Sequence, residues 1–352
     1  MSYEQIGIKC FRRNGALTLC AALCIFGLSA SANAKSKFTV FDPAGSTGTF
    51  AWDINDGGAI AGFYEDSNSV FHGFLRAADG TITAFDPPES ENTFVYGIND
   101  SGVIAGDYYH SEADLHGYVL ATDGTYTTFD PSGSVYTDAH SINAGGSITG
   151  WYCTSDSDCN SGAFHGFVRA GDGTITSFDV SGDTSGTYAY SINTKGSIAG
   201  EYGDSNDVFH GYVRAADGRI TTFDPAGSVN SYVRGINAKG SIIGWYCTSE
   251  SDCNSGANHD FVRAADGTIT TFDPPQSLGS AAFGINAKGS ITGIYAVTDT
   301  DLPGFVRSAD GKITTFKGGK STSTQGESIN ATGSIAGFYT PGKVTHGFLR
   351  TP

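Results

Sequence analysis

Ser231-Tyr232-Val233-Arg234-Gly235-Ile236-Asn237-Ala238-Lys239-Gly240 is the stretch whose reading decides the fold. Seven residues rich in aromatic and β-branched types read as a strand, and Asn237 to Gly240 reads as a hairpin turn with glycine where a positive φ is needed. Ser241 to Tyr246 is the next strand. After a longer loop, Asp260-Phe261-Val262-Arg263-Ala264 reads as a third strand, Asp266-Gly267 as a tight turn, and Thr268 to Asp273 as a fourth. Pro274-Pro275 forbids continuing the sheet.

The same phrase occurs seven times. Its asparagines are Asn55, Asn99, Asn143, Asn193, Asn237, Asn286 and Asn330, at spacings of 44, 44, 50, 44, 49 and 44 residues. That period suits four-stranded propeller blades rather than the short coils of a solenoid. The seventh repeat ends after His346-Gly347-Phe348-Leu349-Arg350, without a fourth strand, and Lys37-Phe38-Thr39-Val40-Phe41-Asp42-Pro43 near the N-terminus matches the missing piece in phase. The expectation is an all-β chain forming a closed seven-bladed β-propeller of four-stranded blades, the last blade completed by the N-terminal strand. No long stretch shows a 3.6-residue apolar period, and a β-helix is the minor alternative.

Residues 1–34 read as a secretory signal peptide. Lys9, Arg12 and Arg13 precede an apolar run from Ala16 to Leu28, which is too short to span a membrane, and Ala32-Asn33-Ala34 is a small-x-small cleavage site. Residues 35–352 would then form a single propeller domain, exported to the periplasm or the extracellular space. Leu19 and Leu23, ahead of Cys20 and Cys24, argue against a lipoprotein, and Arg12-Arg13 is not followed by a twin-arginine pattern. Without residues 1–34 the chain carries 35 acidic against 17 basic residues, a surface that repels nucleic acid and anionic lipid. Neither nucleic-acid binding nor membrane insertion is expected, and the chain is read as a monomer.

Four cysteines remain after cleavage, Cys153, Cys159, Cys247 and Cys253, in two near-identical segments. In an oxidising compartment the simple pairing is local, within each loop; zinc is the weaker reading, since it needs reduced and more closely clustered thiolates.

The repeat resembles that of the bacterial extracellular HAF-repeat family, whose His-Ala-Phe motif stands here as His72-Gly73-Phe74, His165-Gly166-Phe167 and His346-Gly347-Phe348. The resemblance covers nearly all of the exported chain. It implies secretion, and it carries no reaction and no catalytic residues. The sixth repeat departs from it, with Pro303 in place of the histidine.

Residues present in every repeat are read as structural. The asparagines bond their own turns, and His72, His116, His165, His210, His259 and His346, held apart by ring symmetry, make a hydrogen bond to a neighbouring strand. Function is sought where the repeats differ. Two residues before the repeated isoleucine stand Trp52, Tyr96, His140, Tyr190, Arg234, Phe283 and Glu327, which would start the innermost strands near the mouth of the central channel. Aromatic rings with a few charges suit sugar faces or an extended polar ligand; the plainer reading is packing between blades, because alternation sets each residue on the same side as its isoleucine.

The loops between second and third strands are acidic, with Asp66 and Asn68, Glu112 and Asp114, Asp204 and Asn206, and Asp299 and Asp301. The two cysteine loops add Asp156 and Asp158, and Glu250 and Asp252, and would project Trp151 and Trp245 as contact surfaces. Calcium is the ion such oxygens would take, but no full calcium-loop pattern is present and no cofactor is assigned. The leading reading is a secreted binding protein for an extracellular polysaccharide, peptide or protein partner at the channel mouth. One alternative is a lyase or hydrolase with His140 as base, Glu327 as acid and Arg234 stabilising negative charge; another is a structural scaffold without ligand. No catalytic motif is recognisable.

Overall fold

A computed structural model describes residues 36–111 and 114–352. The signal-peptide reading falls outside them, as does Glu112. The described chain is all-β apart from two six-residue helices, and its fold is propeller-like. Five sheets are four-stranded. The sixth has eight strands, being two four-stranded antiparallel runs joined by a single parallel bridge between Tyr136 and Leu115.

Each repeat is an antiparallel meander. In the first, Gly48–Ile54 pairs with Ile60–Glu65, which pairs with Phe71–Arg76, which pairs with Ile82–Phe85. The Lys37–Phe41 strand pairs antiparallel with His346–Thr351, from Lys37 opposite Thr351 to Phe41 opposite Gly347. The sheet of the seventh repeat is thus completed by the first strand of the described chain, as its missing fourth strand requires. Phe38 stacks on Phe348 with ring centroids 4.6 Å apart, and Arg76 of the first repeat sits 5.0 Å above the ring of Phe41, so the joining strand is held from both sides.

The repeated asparagine does more than close its turn. In Asn143, Oδ1 accepts hydrogen bonds from the backbone N–H groups of Gly145 and Ser147, the local role expected from sequence. Its Nδ2 donates to the backbone carbonyl of Asn193 in the next repeat. The same donation runs Asn55 to Asn99, Asn99 to Asn143, Asn193 to Asn237, Asn237 to Asn286 and Asn286 to Asn330, and Asn330 closes it by donating to Asn55 at 3.1 Å. A hydrogen-bonded ring of seven side chains therefore encircles the axis. All seven asparagines are buried, where an unmade bond is costly.

The repeated histidines behave as structural groups. Each pairs through Nδ1 with the aspartate ending the fourth strand of its own sheet, from His72 with Asp86 at 2.8 Å to His346 with Asp42 at 2.8 Å. The glycine after them has a steric reason: a Cβ on Gly73 would lie 2.4 Å from the Phe85 ring. Repeat five carries Asp260 there, fully buried, and burial raises its pKa well above the ordinary range. Neighbouring repeats are clasped by an arginine of the third strand lying over a phenylalanine of the preceding sheet, as Arg263 does over Phe223 at 4.8 Å.

Asn143→Asp keeps the turn acceptor and removes the donor of one ring link. The expected result is unchanged β-sheet circular dichroism with a loss of about 1–3 kcal/mol in denaturant unfolding; wild-type stability would show that the ring link contributes nothing.

Candidate functional site

The variable column occupies a special place in its strands. Every first strand has a register shift at that point, between Ala51 and Asp53, Val95 and Gly97, Ala139 and Ser141, and so on to Gly326 and Ser328. Each column residue is therefore the extra residue of a β-bulge. The bulge resets the alternation, which corrects the expectation that column and isoleucine share a face. Ala51 and Ile54 enter one apolar core, whereas Trp52 meets Phe63 at 5.7 Å and Tyr96 at 5.3 Å.

Freed from the between-sheet cores, the column residues run edge to face along one another. Trp52 meets Tyr96, Tyr96 stacks on His140 at 5.0 Å, and His140 meets Tyr190 at 5.1 Å. The guanidinium of Arg234 lies 4.0 Å over Tyr190 and 4.6 Å over Trp245, and Trp245 meets Phe283 at 5.6 Å. Glu327 acts electrostatically on Arg234. Except for the buried Glu327, these side chains are half-buried. His140 and Arg234 are thus brought into one line of contacts with Tyr190 between them, while Glu327 reaches Arg234 only through its charge.

Two residues nearer the start of the first strand stand further rings in four repeats, Phe50, Phe94, Tyr188 and Tyr232, with Asp138, Ala281 and Gln325 in the other three. Phe338 meets Phe50 at 5.3 Å, Phe63 links Phe50 to Phe94, and further round Tyr136, Phe164 and Tyr188 are linked at 5.8 and 5.5 Å. Tyr109 meets Phe94 at 6.2 Å.

Trp151 and Trp245 are not projected by the cysteine loops. They lie in the second strands Ile148–Cys153 and Ile242–Cys247, nearly buried, because strand pairing continues as far as Cys153 and Cys247. Both disulfides are local as read from sequence, Cys153 with Cys159 and Cys247 with Cys253. The loops they close are not irregular: each holds a helical turn, α1 (Asp156–Ser161) and α2 (Glu250–Ser255). Ser155 and Ser249 cap these by accepting from the Asp158 and Asp252 N–H groups, and Gly162 and Gly256 end them with left-handed φ. The serine three residues before an acid was the overlooked signal.

The calcium candidates are engaged elsewhere. Asp158 and Asp252 accept from Thr154 and Thr248, and Asp156 and Glu250 stand in the first helical turns. Asp66 and Asp204 accept from the backbones of their own loops, and Asp301 pairs with Lys317. Among the described residues no group of three or more His, Cys, Asp or Glu is placed to hold a metal ion.

A central cavity of about 250 Å³ is lined by the Ile-Asn-x segment of every repeat, including Asp53, Asp56 and Asp100, and not by the variable column. The column lies further along the axis, on the side of the second-to-third-strand loops. Acids missed from sequence join it there. Glu201 accepts from the Val233 N–H at 2.9 Å and from the Tyr190 hydroxyl at 3.3 Å, and lies 3.7 Å from Arg234. Asp138 Oδ1 is 3.3 Å from His140 Nδ1, and buried Asp107 is raised well above the carboxylate range by burial and by the charge of Asp138. Glu201 carries no local mark, since it meets Arg234 only across the seam between repeats, and Asp107 holds the matching place 94 residues earlier; Asp138 stands two residues before His140 on the same strand.

No protein-family model matches the chain, and no curated protein does. Solved structures do resemble it. A streptogramin B lyase has a TM-score of 0.60 at 12% identity, covering 92% of this chain and 100% of that one. Virginiamycin B lyase from Staphylococcus aureus also gives 0.60 at 12%, covering 90% and 100%. The β-propeller domain of the Trilobed protease from Pyrococcus furiosus gives 0.58 at 9%, covering 86% and 95%. Such low identities establish a likeness of fold, that of a β-propeller, and nothing of chemistry.

Burial pushes Glu327 up to about 7, against its bond from Gln325 and the charge of Arg234. A carboxyl raised on folding stabilises below its unfolded pKa, and that contribution is lost as pH rises through the folded value. Thermal melts should therefore show the wild type losing stability relative to Glu327→Gln between about pH 5 and pH 8; parallel curves would refute this placement of Glu327.

Proposed function

We propose that this chain is a secreted, seven-bladed β-propeller that binds an extracellular polysaccharide through the loop-side mouth of its axis. The eight-stranded sheet is read as two adjacent blades, and residues 35–352 as one domain. Supporting export are two disulfides, which form and persist in oxidising compartments, and the leader-like residues 1–34. The HAF-repeat resemblance points the same way.

The observation that carries the binding reading is the two-tier belt of rings around the axis, half-buried and interrupted by Arg234, Glu201, Asp107 and Asp138. Aromatic faces supply apolar area to sugar rings, and a few fixed charged groups orient them. An inert scaffold has no use for bulges that lift one variable side chain per repeat out of the sheet seams, half-exposed.

A second reading, a lyase or hydrolase, is favoured by two features: the Asp138–His140 contact, which orients an imidazole as a base needs, and Glu327, whose pKa of about 7 suits a general acid. It requires turnover of the same glycan.

The test is a glycan array followed by titration of the bound class with wild type, Trp52→Ala and Arg234→Ala, each checked for folding by circular dichroism. Binding by the wild type that falls about tenfold or more in the variants supports the proposal. No glycan bound, or unaltered binding by folded variants, rejects it. Depolymerisation by the wild type that is lost in His140→Asn would favour the enzyme reading.

A further inference from the structure

The chain contains its own comparison for one part of this belt. Tyr96, Asp107, His140, Trp151, Cys153 and Cys159 recur 94 residues later as Tyr190, Glu201, Arg234, Trp245, Cys247 and Cys253. The two sets are the same site built twice, on repeats two and three and on repeats four and five. In each copy a nitrogenous side chain is held between a tyrosine and a tryptophan: His140 against Tyr96 and Trp151, at 5.0 and 4.9 Å, and Arg234 against Tyr190 and Trp245. In each copy, too, an acid of the second strand accepts the backbone N–H preceding that side chain, Asp107 from Ala139 and Glu201 from Val233.

The copies differ in charge balance. In the later one the single acid, Glu201, is met by the permanent cation of Arg234. In the earlier one the guanidinium is replaced by an imidazole, and a second buried acid is added, Asp138 where the later copy has Tyr232. Asp138 is occupied by His140 Nδ1. The Oδ2 atom of Asp107 is buried and has no hydrogen-bond partner among the described residues, and Asp107 as a whole is only 1% exposed. Near the pair stand Tyr109 and Tyr136, on whose hydroxyls both acids act, with Phe94 and Phe164 packed against their rings. Two acids thus face one imidazole inside an aromatic wall.

We propose that the Asp107–Asp138 pair is a subsite for a cationic ammonium group carried on a sugar ring, so that the polysaccharide bound is one containing free amino sugars. The inference rests on the polysaccharide reading above and narrows it. The later copy shows what the architecture accommodates, a delocalised cation between rings and against a carboxylate; the earlier copy lacks that cation and leaves a buried carboxylate oxygen, Asp107 Oδ2, unpartnered. Aromatic faces attract cations as well as sugar rings, and the strongly acidic surface raises the local concentration of a polycation. Burial and the charge of Asp138 raise the pKa of Asp107, and a bound ammonium would lower it again, so that binding favours release of a proton.

The experiment compares a glucosamine hexasaccharide with its fully N-acetylated counterpart, equal in length and differing in charge, by calorimetric titration in two buffers of different ionisation enthalpy. The expected result is at least about tenfold tighter binding of the deacetylated sugar, with proton release. That preference should vanish in Asp107→Asn and in His140→Arg, which installs the cation of the later copy, and persist in Asp217→Asn, a control that removes one exposed charge elsewhere. Equal affinity for the two sugars, binding of neither, or a preference lowered equally by Asp217→Asn would overturn the inference. Oligolysine binding as tightly as the amino sugar, with the same dependence on Asp107, would overturn its assignment to a sugar. The polysaccharide reading itself stands or falls on the array and on the Trp52→Ala and Arg234→Ala titrations, whichever of the two hexasaccharides is preferred.

Discussion

Seven amide groups, each donating across a seam to the carbonyl of the next asparagine, set the geometry on which everything else depends. The bond is short and directional, so it fixes how near the axis each first strand can come and at what angle neighbouring sheets meet. A hydrophobic seam alone would tolerate sliding; a buried hydrogen bond with one acceptor does not. Because Asn330 donates to Asn55, the constraint has no free end, and the spacing errors of individual repeats cannot accumulate.

The bulge next to the ring converts this regularity into a place for variation. One unpaired residue per first strand breaks the two-residue alternation just where the sheets converge. The isoleucine two positions on stays in the apolar seam, while the bulged residue turns out of it. A ring of sheets can in this way keep identical cores and still display seven different side chains toward one region. The apolar seams bear most of the stability, and the lifted positions are free to diversify.

The architecture was legible in the sequence because its determinants are local. Turn glycines, the Pro-Pro breaks and the phase of Lys37–Pro43 against Thr268–Pro274 each depend on neighbouring residues. The histidines are legible as structural for a similar reason, their aspartate partners being fourteen residues on in five repeats, while His346 of the seventh takes Asp42 of the joining strand. The bulge was not legible, since nothing in Phe50-Ala51-Trp52-Asp53-Ile54 distinguishes a bulged strand from a regular one. Nor were Asp107 and Glu201, which look like ordinary strand substitutions until the next repeat is folded against them, whereas Asp138 stands only two residues from His140. The column was found by its diversity, whereas its acidic partners sit in columns whose importance only three-dimensional adjacency reveals. Trp151 and Trp245 were noticed for the wrong reason, as loop residues, when their strand positions are what bring them to His140 and Arg234.

The antiparallel pairing of Lys37–Phe41 with His346–Thr351 has a consequence in time as well as in space. Lys37–Phe41 leaves a ribosome or a translocation pore long before His346–Thr351, the strand it pairs with, and must wait for it. Until then the sheet of the final repeat has an open edge, and the asparagine bonds cannot close. Assembly of the finished ring is therefore a single late event that requires both ends of the chain in the same compartment, and a chain threaded through a membrane would reach its closed form only on the far side.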